Sequence, residues 1–206
     1  PLHLHVPGRH SLLNALAAVA VGLELGVSLD QVAHALAEFR GADRRFQRIG
    51  EVRGVVVVDD YGHHPTEIEA VLAAARAGLH RRVILAFQPH RYTRTRDLLA
   101  QFGRSLAGAD EVVLTDVYGA GEAPILGATV DALAEAIGRV SSIPVHVVKP
   151  LDRVAPVVAA LARPGDLVVT LGAGSIETVA PRIVEALKQR HSAAGTPNQP
   201  PHTTEA

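Results

Sequence analysis

The pattern of hydrophobic positions along this chain changes near residue 44. Before that point Leu12, Leu13, Leu16, Val19, Ala20 and Leu23 recur every three or four residues, the spacing of one helix face. Gly26 follows where a helix can end in the left-handed conformation that glycine tolerates. Val32, Leu36 and Phe39 fit a second short helix, with Ser28 or Asp30 as its N-cap. The pair predicts a helical hairpin of about 30 residues, too small to bury a core of its own.

Gly41-Ala42-Asp43-Arg44-Arg45-Phe46 reads as a boundary. Beyond it, short apolar runs alternate with helical stripes. Val55–Val58 is a continuous β-branched run, as in a strand buried on both faces. Ile68, Val71, Leu72, Ala75 and Leu79 form the next helical stripe, and residues 83–87 the next strand. Leu98, Leu99, Phe102 and Leu106 fit a helix capped by Thr95. Residues 112–114, 145–148 and 167–171 predict three more strands, separated by stripes at Val130–Ile137 and Val154–Leu161. Ile183, Val184 and Leu187 belong to a last helix. Strict alternation of this kind predicts an α/β fold with a doubly wound, mostly parallel sheet. Residues 191–206 are rich in Pro, Thr and Ala without a period and are expected to be a disordered tail.

Composition narrows the function classes. Of 206 residues 48% are hydrophobic and 20% charged, an ordinary globular balance. A formal net charge of −1 gives no reason to expect a nucleic-acid or membrane surface. With no Cys there is no disulfide framework and no thiolate chemistry. No apolar run approaches the roughly 20 residues of a membrane span, so a cytoplasmic protein is expected. The opening Pro1-Leu2-His3-Leu4-His5, in a chain without Met, reads as the middle of a longer protein.

In doubly wound sheets ligands sit beyond the carboxyl ends of the strands. Those are the positions where polar residues concentrate here. They are Asp59-Asp60-Tyr61-Gly62-His63-His64-Pro65-Thr66, Gln88-Pro89-His90-Arg91-Tyr92-Thr93-Arg94-Thr95, Thr115-Asp116-Val117-Tyr118-Gly119-Ala120-Gly121-Glu122 and Gly172-Ala173-Gly174-Ser175. Pro65 suits the first turn of a helix, whose exposed N–H groups favour a nearby anion. Arg91 and Arg94 offer two guanidinium forks suited to a carboxylate or phosphate. With His63 and His90 they compose a pocket for an amino-acid carboxylate. A metal centred on His63, His64 and His90 is not expected, because adjacent histidine side chains diverge and no carboxylate completes the set. Gly172–Ser175 is read as a tight strand-to-helix turn rather than a dinucleotide fingerprint, since it follows the last strand. No G-x-x-x-x-G-K-[ST] phosphate loop occurs in the sequence.

At Asp59–Glu67 and Gln88–Thr95 the chain resembles the Mur ligases, in the branch that joins L-alanine to UDP-N-acetylmuramate. Gly8–Ala18 is similar to the helix near the end of that family's central ATP-binding domain, and Arg44–Arg48 to its hinge into the C-terminal domain. Asp116–Glu122 and Gly172–Gly174 also fit. A related ligase that recycles a preformed tripeptide shares the His63–Thr66 pattern but not Pro89–Thr95.

The resemblance implies a Rossmann-like domain at 44–190. It also implies that residues 1–43 are the incomplete end of a central domain, and that the phosphate loop and Mg²⁺ ligands lie upstream. Its chemistry is ATP-dependent: an acyl-phosphate forms on the muramate carboxylate and the amine of L-alanine attacks it. Carried over, His10, Asn14, Arg44, Arg45 and Asp60 would serve ATP, with Asn14 at adenine, an arginine at the phosphates and Asp60 at the ribose. His63, His90, Arg91 and Arg94 would surround L-alanine, and Arg45, His63 and Arg91 would take the most direct part in the reaction. On this reading the chain alone would not ligate. One departure is Ser11, where the family usually has Asn; a hydroxyl replaces an amide's paired donor and acceptor. A different class also accounts for the rim: a non-catalytic doubly wound module that binds a nucleotide or amino acid.

Overall fold

The computed structural model describes residues 2–6, 8–79 and 81–194. Two helices come first, α1 (Arg9–Glu24) and α2 (Leu29–Glu38). Gly26, at φ 78°, ends α1 as expected, with Val27 N–H donating to Gly22 O and Gly26 N–H to Leu23 O. Of the two expected caps of α2, Ser28 is the one used. Its hydroxyl accepts from Gln31 N–H while the Gln31 side chain accepts from Ser28 N–H.

The rest is an α/β domain: β1 (Gln47–Val52), β2 (Val55–Asp60), α3 (Pro65–Leu79), β3 (Val83–Phe87), α4 (Tyr92–Asp97), α5 (Leu99–Leu106), β4 (Glu111–Leu114), α6 (Val130–Gly138), β5 (Val145–Val147), α7 (Leu151–Leu161), β6 (Leu167–Leu171) and α8 (Val179–Ala194). The strand order is β1-β2-β6-β3-β4-β5, with β1 antiparallel to β2 and every other pairing parallel. Successive side chains of a strand face opposite ways, so one buried strand feeds two cores. Val56 and Val58 join Phe87, Phe102, Leu106 and Leu133 under α3, α5 and α6. Val55 and Val57 join Val158, Ile176 and Ile183 under α7 and α8. The chain crosses from one face to the other when β6 inserts between β2 and β3. The carboxyl ends of these three strands therefore form the switch point where doubly wound sheets bind ligands.

Three details depart from the sequence reading. β1 was not anticipated. Its residues alternate between half-buried and exposed, and its register shifts between Arg48 and Gly50, where Gly50 lies against Val184 of α8. Such a bulged, polar edge strand carries little hydrophobic signal. The helix expected from Thr95 starts earlier, at Tyr92, and breaks at Leu98. Thr95 is thus an interior residue, fully buried, and its hydroxyl donates to Arg91 O rather than capping a helix. Finally, α8 runs to Ala194, because nothing between Lys188 and Ala194 breaks a helix before Gly195. The remainder of the expected tail, 195–206, lies outside the described residues. Among the described residues no helix is long and apolar enough to cross a membrane.

The hairpin keeps an uncovered apolar face. Leu12, Leu13, Leu16 and Leu23 are each about half exposed, and α1 and α2 bury only Ala15 and Val32. Few buried contacts mean low local stability. Amides of residues 11–38 are expected to exchange with solvent faster than those of β2, β3 and β6. Equal protection in a proven monomer would contradict this.

Candidate functional site

Asp59 and Asp60 end β2 at the switch point, and burial raises both carboxyls above their ordinary pKa. Each is tied to protein groups. Asp59 Oδ2 accepts from Arg44 Nε at 2.8 Å and Oδ1 from the Thr170 hydroxyl at 2.5 Å. Asp60 accepts Gly62 N–H at 2.7 Å and Phe46 N–H at 2.8 Å, one on each oxygen. Asp60 thereby fastens the start of β1 to the end of β2.

Arg44 and Arg45 part company. The Arg44 side chain is 17% exposed and spans Asp59, Glu177 at 3.1 Å and the Gly172 carbonyl. Arg45 lines a cleft of 920 Å³ between the hairpin and the sheet domain. His10, Asn14 and Asp60 line the same cleft, with Phe46 and Glu67. Four of the five residues expected at ATP therefore share one cavity, and Arg44 stands behind it as a brace. The Tyr61 ring lies 5.1 Å from the Arg44 guanidinium and 5.7 Å from that of Arg45.

Tyr61 also meets His63 edge-on at 5.3 Å, and the His63 ring lies 5.5 Å from that of His90. His90 stacks on Tyr118 at 5.6 Å, and Arg94 Nη1 lies 3.3 Å from His90 Nδ1. Arg91 is the N-cap of α4, with φ 72° and a half-exposed side chain. The four residues expected at an amino acid are thus gathered on one stretch of rim. Burial lowers the pKa of His90, and the charges of Arg94, His63 and Arg91 lower it further. His90 is a neutral imidazole at pH 7, able to accept a hydrogen bond. His64 turns away from this group, its Nδ1 3.0 Å from the Thr66 hydroxyl.

Pro65 is the first residue of α3, as expected, but the donors before it are already engaged. Glu67 Oε2 accepts the N–H groups of His63 and His64 at 2.8 and 3.0 Å. Burial pushes the Glu67 pKa up, yet these hydrogen bonds and the charge of His63 hold it below its ordinary value. This carboxylate takes the place expected for an external anion. The Gly172–Ser175 segment is a tight turn into a short 3-10 helix, Ser175–Thr178. It presses on Gln88 and Tyr118: a Cβ at Gly172, whose φ is 148°, would come within 2.7 Å of Gln88 O. Gln88, almost fully buried, accepts Ile176 N–H at 3.0 Å and donates to Asp116 O at 3.4 Å, latching three loops together. Tyr61, Glu67, Gln88, Tyr118 and Glu122 were not singled out from sequence. Only for Glu67 was there a local signal, its place at the third position of α3, where a carboxylate caps the preceding amides.

A mostly parallel sheet with a polar switch-point rim, beside a cleft under a helical hairpin, defines a doubly wound α/β domain. The chain belongs to the Mur ligase family: the family described as Mur ligase, glutamate ligase domain, matches residues 44–174. It is similar to the UDP-N-acetylmuramate–L-alanine ligase of Koribacter versatilis, 48% identical over 191 residues, which are 93% of this chain and 41% of that protein. The enzyme of the same name from Anaeromyxobacter sp. is 52% identical over 181 residues, 88% of this chain and 39% of that protein. Among solved structures, UDP-N-acetylmuramate-alanine ligase MurC of Thermotoga maritima superposes with a TM-score of 0.75 at 31% identity. It covers 92% of this chain and 40% of its own. The chain thus spans about two-fifths of the length of the curated relatives it matches.

Proposed function

We propose that this chain is the C-terminal part of an ATP-dependent ligase that joins L-alanine to UDP-N-acetylmuramate in the cytoplasm. The observation that carries the reading is the adjacency of two residue sets. Arg45, Asp60, Asn14 and His10 line one cleft, and the Tyr61 ring, 5.7 Å from the Arg45 guanidinium, also meets His63, which leads on to His90 and Arg94. Similarity to enzymes of that name over nine-tenths of the chain supports it.

The cleft offers a nucleotide apolar walls and several polar groups. Asn14 and His10 would meet the base, and Arg45 would face the phosphates with its charge supported by Asp60 and Glu67. Asp60 can serve the ribose only with lone pairs left over from Gly62 and Phe46. ATP with Mg²⁺ would supply the phosphoryl group that activates the muramate carboxyl, and a phosphate loop and Mg²⁺ ligands would have to come from residues outside these 206. Arg91 and Arg94 would hold the alanine carboxylate, leaving its amine toward His63 and His90. Neutral His90 can accept a proton from that amine as the amide forms.

The test is ADP release in the presence of UDP-N-acetylmuramate and L-alanine. The full-length protein containing this chain is expected to turn over only when both are present, and the 206 residues alone not above background. Phosphoryl transfer depends on positioning and charge stabilisation, which the absent phosphate loop supplies. Turnover by the isolated chain, or none by the full-length protein, would overturn the reading.

A further inference from the structure

Glu122 belongs to neither residue set, yet it reaches the amino-acid side of the rim from the loop after β4. The turn that carries it, Gly119-Ala120-Gly121-Glu122, is closed by Glu122 N–H donating to Gly119 O at 2.9 Å. Both central residues have positive φ, 49° at Ala120 and 87° at Gly121. A left-handed alanine is strained, and so is Arg91 at φ 72°. Two strained non-glycine residues therefore flank a single contact, and strain of this kind persists only where surrounding structure enforces it.

The enforcing bonds are explicit. Arg91 N–H donates to Tyr118 O and Tyr118 N–H donates to Pro89 O, both at 2.8 Å, so the loops after β3 and β4 are clamped together. The Glu122 carboxylate then accepts Thr93 N–H at 2.9 Å and the Thr93 hydroxyl at 2.7 Å. Arg91 Nη1 lies 3.5 Å from Glu122 Oε1. Two short bonds fix the carboxylate, while the longer contact holds the guanidinium without locking it. The Glu122 side chain is 20% exposed and that of Arg91 49%, so the anchored partner is the better covered one.

We propose that Glu122 is a positioning residue for amino-acid recognition, holding the Arg91 guanidinium over the pocket so that the substrate carboxylate meets an oriented fork. An unpaired arginine samples many rotamers, and ordering it on binding would weaken the affinity. Glu122 removes part of that ordering in advance. The idea rests on the reading that Arg91 binds the amino-acid carboxylate.

Steady-state kinetics of the full-length protein test it. Glu122→Gln is expected to raise KM for L-alanine about ten-fold, with kcat and KM for ATP changed less than about two-fold. Thr93→Val removes one of the two bonds that fix the carboxylate but leaves its charge beside Arg91, and should raise KM for L-alanine clearly less than Glu122→Gln does. Combining Glu122→Gln with Arg91→Lys should raise KM by less than the product of the single effects, because both act on one contact. Should glutamine at this position prevent folding, Glu122→Asp keeps the charge, draws it back from Arg91 and should raise KM in the same sense. Equal KM increases for Thr93→Val and Glu122→Gln would reduce Glu122 to a helix cap and overturn the proposal. So would an unchanged alanine KM in Glu122→Gln alongside a raised one in Arg91→Lys, which leaves the reading of the pocket intact. An unchanged alanine KM in Arg91→Lys would remove that reading and the proposal with it.

Discussion

Arg91→Lys in the full-length protein is expected to lower kcat/KM for L-alanine about ten- to hundred-fold. Lysine keeps the charge but loses the planar fork that matches a carboxylate. A charge-assisted hydrogen bond in a partly desolvated site contributes roughly 1.5–3 kcal/mol, which gives that range. ATP affinity should change much less, because Arg91 does not line the cleft that holds Asn14 and Arg45. Asp60→Asn should show the opposite preference, weakening ATP more than alanine, and should also lower stability. Its two oxygens each accept a backbone N–H, so one of these would face an amide NH₂ group instead. Leaving a buried donor unmet costs about 1–3 kcal/mol. Kinetics with each substrate varied, beside a thermal melt, separate the two cases. Equal weakening of ATP and alanine by Arg91→Lys, or of neither, would remove the pocket assignment.

Phe102→Ala is expected to destabilise the sheet domain by about 3–5 kcal/mol. The ring is fully buried on α5 and lies 5.7 Å from that of Phe87 at the centre of the core under α3, α5 and α6. Alanine would leave a void between two helices and a strand that cannot collapse without moving β3. Against a typical domain stability of about 5–15 kcal/mol the loss is large. Urea unfolding followed by circular dichroism would measure it. A shift equivalent to less than about 1.5 kcal/mol would mean that the core closes around the smaller side chain.

Much of this architecture was legible because buried parallel strands have a plain signature. Val55–Val58 and 83–87 are unbroken apolar runs and 167–171 is interrupted only by Thr170, and each lies in a strand buried along its length. The left-handed Gly26 is equally local and present, and of the two N-caps expected for α2 Ser28 is the one used. β1 escaped because an edge strand buries too little to pattern its sequence, and α4 because its first residue is set by the backbone of Arg91 rather than by a capping side chain. The rim was legible as a concentration of polar residues, and the structure gathers His63, His90, Arg91 and Arg94 as expected. What could not be read was which rim residues face the cavity. Arg44 and Arg45 are adjacent and chemically identical, and only their partners separate a brace from a cleft residue. Glu122 meets Thr93 across 29 positions and Gln88 meets Ile176 across 88, contacts that no local pattern encodes.

Arg44's anchorage has a mechanical consequence. From Arg44 onward the backbone is pinned to the sheet through Asp59, Gly172 and Glu177, and Phe46 is pinned again by Asp60. Rotation of the hairpin against the sheet must therefore be absorbed in residues 39–43, where Gly41 sits at φ 112°. Arg45 stays with the floor of the cleft during such a swing, while His10 and Asn14 travel with its roof. The residues on the two walls of the cleft would then move relative to each other, and the torsions of a five-residue strap would set how wide it opens.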